Sequence, residues 1–228
     1  MPYSIYFIKT PKCATETIKI HLNKYSEFHN LKINDGHYKF YFDSEYNGFD
    51  INTNHIHSNE KTWKHFLENK KPSNPFIRVT SIRTPLLRLY SHYRYSNGYF
   101  LKLQRDFNDW YLEFCDKTDN QNECGWKCEG VPNTTNNYIS KYMNVENVGQ
   151  LSEKYDFVFV SDLFDESLIS FGNIIGHKFL KVGSANVFSK KDESYQFSKE
   201  VIAKFNERNV LDLELFTHCY NKIKQSIY

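Results

Sequence analysis

Three stretches of the 228-residue chain gather side chains that can handle anions or move protons. The first is FIKTPKCATETI, Phe7 to Ile18, which reads as a strand, a loop and a helix start. Its loop offers small residues, a lysine (Lys12) and the unpaired backbone N–H groups that open a helix. A helix N-terminus carries partial positive charge, so this combination is a ready anion site. A nucleotide-hydrolysing loop of the G-x-x-x-x-G-K-S/T kind is disfavoured, because this loop contains no glycine. An ordinary helix start with a surface lysine is the plainer reading of this segment taken alone.

The second stretch is FIRVTSIRTPLLRLYSHYRY, Phe76 to Tyr95. Arg83 stands where a strand should end, and Ser91 follows two turns into the next helix. Thr84, Arg88 and Ser91 share one face by their spacing. A guanidinium offers a planar fork of donors, which with a nearby hydroxyl suits a phosphate. A helix laced with surface ion pairs is the alternative. Thr84 is placed to cap this helix, and Pro85 takes its first position, where a missing N–H is harmless.

The third stretch, NHIHSNEKTW, separates His55 and His57 by one residue. A metal pair would want a third ligand, and the spacing of His37 and His65 says nothing in its favour. Surface histidines and a general base remain open on the residues alone. His92 reads as a packing or surface residue. His21, His29, His177 and His218 have no nameable acidic or serine partner.

The first two stretches together resemble the carbohydrate sulfotransferases, the group that includes heparan sulfate 2-O-sulfotransferase. That family's P-K-T-x-x-T-S/T loop binds the 5′-phosphosulfate of 3′-phosphoadenosine 5′-phosphosulfate (PAPS). Here it is matched by Pro11-Lys12-Cys13-Ala14-Thr15-Glu16-Thr17, with Cys13 and Glu16 where threonines are usual. The family's R-D/T-P-x-x-R-x-x-S motif is similar to Arg83 through Ser91. By this resemblance Lys12, Cys13, Ala14, Thr15, Glu16 and Thr17 bind the cofactor, and Arg83 and Ser91 hold its 3′-phosphate. Glu16 would then have to turn its carboxylate away from the phosphosulfate. The resemblance also makes His57 the base, with Lys12 catalytic and His55 supporting it or touching substrate. YDFVFVSDLFDESL (Tyr155 to Leu168) and RNVLDLELFTHCY (Arg208 to Tyr220) look like the family's late strand and last helix. The loop Gly183–Lys191 matches one that closes over the nucleotide, which makes Asn186 and Lys190 cofactor-binding candidates.

These segments need a scaffold. Ile5–Ile8, Phe76–Ile82 and Phe157–Val160 are short apolar runs followed by helix starts, as buried parallel strands are. Ile18, Leu22 and Tyr25 form one helical stripe; Phe164, Leu168, Phe171 and Ile175 form another. A last helix should bury Leu213, Phe216, Tyr220, Ile223 and Ile227. The expected fold is an α/β, three-layer, P-loop-like domain with a central parallel sheet, one domain over 1–228. Two polar, aromatic-rich insertions, 30–74 and 97–137, show little periodicity and fall where acceptor-shaping loops usually lie.

Lys and Arg number 29 and Asp and Glu 27, and a net charge of +2 excludes a dedicated nucleic-acid or membrane-surface binder. No apolar run is long enough to span a bilayer and no signal-peptide pattern opens the sequence, so a cytoplasmic protein is expected. Five cysteines are too few for a disulfide scaffold; Cys124 and Cys128 lack the second close pair that a zinc site needs. The function expected is sulfuryl transfer from PAPS to a hydroxyl, of a glycan or another acceptor, with no metal required. A kinase-like transferase and a non-catalytic glycan-binding module derived from a sulfotransferase are the alternatives.

Overall fold

The computed structural model describes residues 1–34, 50–54, 75–96, 105–115, 136–179 and 195–227. Within them lies a mixed α/β arrangement built on a parallel sheet. Its strands are β1 (Ser4–Ile8), β2 (Ile33–Asn34), β3 (Ile51–Asn54), β4 (Phe76–Ile82) and β5 (Phe157–Val160). They lie in the order β2-β3-β1-β4-β5, and every pairing is parallel. The sheet thus has five strands where the sequence marks three. The two extra ones, β2 and β3, are very short and both fall inside the first insertion, β2 near its start and β3 near its middle.

β1 is buried at all five positions, which is why its sequence does not alternate. Ile5 pairs with Ile51 on one side and Ile77 on the other, so the strand is central. Each fully buried Ile, Val or Phe side chain here contributes roughly 1.5–3 kcal/mol of transfer free energy. α1 (Thr15–His29) lays Ile18, Leu22 and Tyr25 against this core, as the spacing requires.

Seven further helices follow among the described residues: α2 (Pro85–Ser96), α3 (Phe107–Phe114), α4 (Tyr138–Met143), α5 (Val148–Lys154), α6 (Phe164–Ile175), α7 (Lys199–Arg208) and α8 (Val210–Gln225). α6 buries Leu168, Phe171 and Ile175 as expected. In α8 the buried row is Asp212, Leu215, Cys219 and Ile223; of the expected stripe Ile223 is buried, Phe216 and Tyr220 pack partly buried against the core, and Ile227 lies beyond the helix and exposed. Asp212 turns inward because it accepts the Ile139 and Ser140 N–H groups, both at 2.8 Å, at the start of α4. That helix has no side-chain cap from its own Asn137. A second cluster, with Leu89, Tyr93, Phe107, Trp110, Val201 and Phe205, joins α2, α3 and α7.

No helix among the described residues is long and apolar enough to cross a membrane. Cys13, Cys115 and Cys219 are buried free thiols, and Cys124 and Cys128 lie outside the described residues.

Candidate functional site

β1 and β4 are parallel neighbours, so both chain segments that leave them emerge at one carboxyl edge of the sheet. From β1 the chain passes to β2 and β3 on one side; from β4 it continues to β5 on the other. The reversal falls between β1 and β4, the position at which open α/β sheets form their ligand crevice. The Pro11–Thr17 loop and the Arg83–Ser91 run, distant in sequence, are therefore neighbours in the fold.

The first loop is sharply bent. The Cys13 N–H donates to the Thr10 carbonyl at 3.3 Å, closing a turn with Pro11 and Lys12 at its centre. Lys12 has φ 66° and Ala14 φ 57°, both left-handed. With Pro11 before it, this is the pattern of a type II turn, whose third position normally takes Gly or Asn. The other left-handed residues among those described are Asn30, Asn137, Asn144 and Gly176, which tolerate it. Strain of about 1–3 kcal/mol per residue persists only where the surroundings enforce it, and it clusters at ligand sites.

A hydroxyl chain fastens the loop to β4. Thr80 Oγ1 donates to the Ile8 carbonyl at 3.0 Å, and with its one hydrogen so used Thr10 Oγ1 donates to Thr80 Oγ1, also at 3.0 Å. Ala14 occupies the cap position of α1 without any side-chain capping bond. Lys12 is half-buried, its Nζ 4.4 Å from the centroid of the Tyr95 ring on α2. Thr15 and Thr17 are buried, and Glu16 is exposed. The Cys13 thiol faces inward, with Sγ 3.7 Å from the Pro11 carbonyl, and burial pushes its pKa up to about 12. It is an inert thiol at neutral pH.

At the second segment, Arg83 is half-buried and Ser91 buried. Arg88, grouped with them by spacing, is instead enclosed, its guanidinium carbon 4.0 Å from the centroid of Tyr138. It is no surface ion-pair residue. Thr84 gives both its N–H (3.0 Å) and its hydroxyl (2.6 Å) to Asp162, which ties the end of β4 to the end of β5.

No protein-family model matches the chain, and no curated protein matches it significantly.

β3 is parallel to β1 and ends at Asn54 on the same edge, one residue before His55. His55 and His57 themselves lie outside the described residues, as do Asn186 and Lys190. His92 is a packed residue, buried beside Arg88 and edge-on to the Tyr138 ring, with centroids 6.2 Å apart. No group of three or more potential metal ligands occurs among the described residues.

Sequence reasoning missed Lys9, Tyr95, Asp162 and Asp212 at or behind this edge. Lys9 did leave a signal: a charged residue directly follows the apolar run Ile5–Ile8, just before Thr10-Pro11. Its side chain is fully enclosed. The other three act through long-range contacts that spacing does not encode.

Proposed function

We propose that this protein is a PAPS-dependent sulfotransferase acting on a hydroxyl acceptor of the glycan class. The observation that carries the reading is the adjacency of β1 and β4, which sets Lys12 and the α1 start beside Arg83 and Ser91. The residues fit a ligand with two anionic ends: cationic side chains stand at both strand ends, and α1 begins without a side-chain cap. We further propose that the sheet is the middle layer of a three-layer, P-loop-like domain. Its central β1, followed by a phosphate-type loop and a helix, supports that.

In this reading Arg83 and Ser91 hold the 3′-phosphate and the loop holds the 5′ end. PAPS supplies the sulfuryl group. Lys12 and the first N–H groups of α1 offset charge that builds on the sulfuryl oxygens and the leaving phosphate. His57 takes the acceptor hydroxyl's proton, with His55 supporting it; a near-neutral imidazole suits that work. Positioning and electrostatics supply most of the rate, as in phosphoryl transfer.

Calorimetric titration with 3′-phosphoadenosine 5′-phosphate (PAP) and with AMP tests the reading. PAP should bind at least tenfold tighter than AMP, which lacks the 3′-phosphate. Arg83→Ala should weaken PAP by about tenfold to a hundredfold, the worth of one charge-assisted phosphate contact. Equal affinities for PAP and AMP would remove the 3′-phosphate assignment.

A further inference from the structure

Lys9 is the first residue past β1, and its side chain is 0% exposed. Its ammonium lies 3.7 Å from Oε1 of Glu16, whose side chain is 53% exposed. The other oxygen of that carboxylate is 4.0 Å from Lys19 Nζ. Both distances exceed a hydrogen bond, so the carboxylate bridges two ammonium groups without closing on either. It does so in the first turn of α1, where the helix end adds positive charge.

An enclosed lysine is a poor choice for stability alone. Desolvating an ammonium is costly, and a partner that is itself half-exposed and beyond hydrogen-bond distance offsets little of that cost. The four residues before it, Ile5 to Ile8, are apolar and buried, so the site would accept an apolar side chain. Lys9 is better explained by an anion it must meet.

We propose that Lys9 is an anion-binding residue beneath the Pro11–Thr17 loop, and that Glu16 is a tethered counterion displaced when a phosphate or sulfate ester group binds there. The inference rests on the anion-site reading given above. Glu16 is long, half-exposed and already shared with Lys19, so it can leave Lys9 without breaking the fold. A dianionic ester brings more charge and more acceptor oxygens than one carboxylate. The same exchange disfavours weakly charged ligands, which cannot displace Glu16.

Calorimetric titration of wild type and Glu16→Gln with PAP and with inorganic sulfate decides the matter. Removing the tethered competitor should tighten PAP by about threefold to tenfold. The gain should persist at 0.3 M salt, since a short contact to an enclosed ammonium is less screened than a long-range surface effect. Lys9→Met should weaken PAP at least tenfold without lowering the ligand-free melting temperature, and should abolish the gain from Glu16→Gln. Because Glu16 is half-exposed, its variant decides even if Lys9→Met does not fold. Unchanged or weaker PAP binding by Glu16→Gln, or a gain that salt erases, overturns this inference alone. Failure of both wild type and Glu16→Gln to bind PAP or sulfate overturns the anion-site reading and the inference with it.

Discussion

The Arg88 guanidinium and the His92 imidazole meet inside the protein, with Nη1 3.4 Å from Nδ1 one helical turn along α2. A guanidinium only donates, so Nδ1 must accept, and the ring is neutral with its proton on Nε2. Burial lowers the His92 pKa well below the usual 6.5, and the nearby charges of Arg88 and Lys12 lower it further.

The unfolded chain therefore takes up a proton, near pH 6.5 and below, that the folded chain refuses. Stability present above that pH is lost as the pH falls through it. Burial lowers His21 and His177 as well, with the same sign. Urea unfolding at pH 7.5, 6.5 and 5.5 should show a falling midpoint. His92→Gln should flatten the slope, by at most about 1.4 kcal/mol per pH unit for one proton. A variant that keeps the full slope would assign it to the other two histidines.

Ala14 bears a left-handed backbone that an alanine adopts at a cost of about 1–2 kcal/mol. Ala14→Gly relieves it against roughly 0.5–1 kcal/mol of added chain entropy. The net gain of about 0.5–1 kcal/mol should raise the melting temperature by about 1–4 °C. Asn144→Gly is the reference, because Asn already tolerates its φ of 53°. A melting temperature lowered by Ala14→Gly would remove strain from the account of this loop.

What the sequence revealed follows from burial. β1, β4 and β5 stand out because a strand buried on both faces reads as an unbroken apolar run, and α1 and α6 because one face meets the core. β3 reads INTN and does not stand out; its place comes from the Ile5–Ile51 register, a long-range fact. In α8 the apolar stripe misleads by one residue, since Asp212 is drawn inward by N–H groups of a helix some seventy positions earlier. The site shows the same division. Lys12, Arg83 and Ser91 are visible as motif positions, whereas the Thr84–Asp162 link joins residues 78 apart. Thr84 stands at the head of α2, its carbonyl accepting the Arg88 N–H, while its hydroxyl donates to that carboxylate.

Lys12 combines a cation that the proposed chemistry needs with a backbone conformation that a lysine does not favour, and a single substitution confounds the two. Its ammonium already sits over an aromatic face, 4.4 Å from the Tyr95 centroid, so the loop holds the charge at α2 before any ligand arrives. If that charge acts mainly as the sulfuryl group moves, Lys12→Ala should lower turnover by about a hundredfold to a thousandfold, the usual effect of losing one transition-state donor. PAP affinity should then change by less than tenfold. Lys12→Gly separates charge from strain: it removes the same ammonium but relieves φ 66°, so it should be more stable than Lys12→Ala and equally slow. Turnover is read as sulfate transfer from PAPS to a panel of glycans, affinity by calorimetry and stability by thermal melting. Equal turnover losses in the two variants assign the effect to the ammonium. A glycine variant that recovers turnover assigns it to the backbone, and losses confined to affinity make Lys12 an anchor and send the catalytic role to another cation.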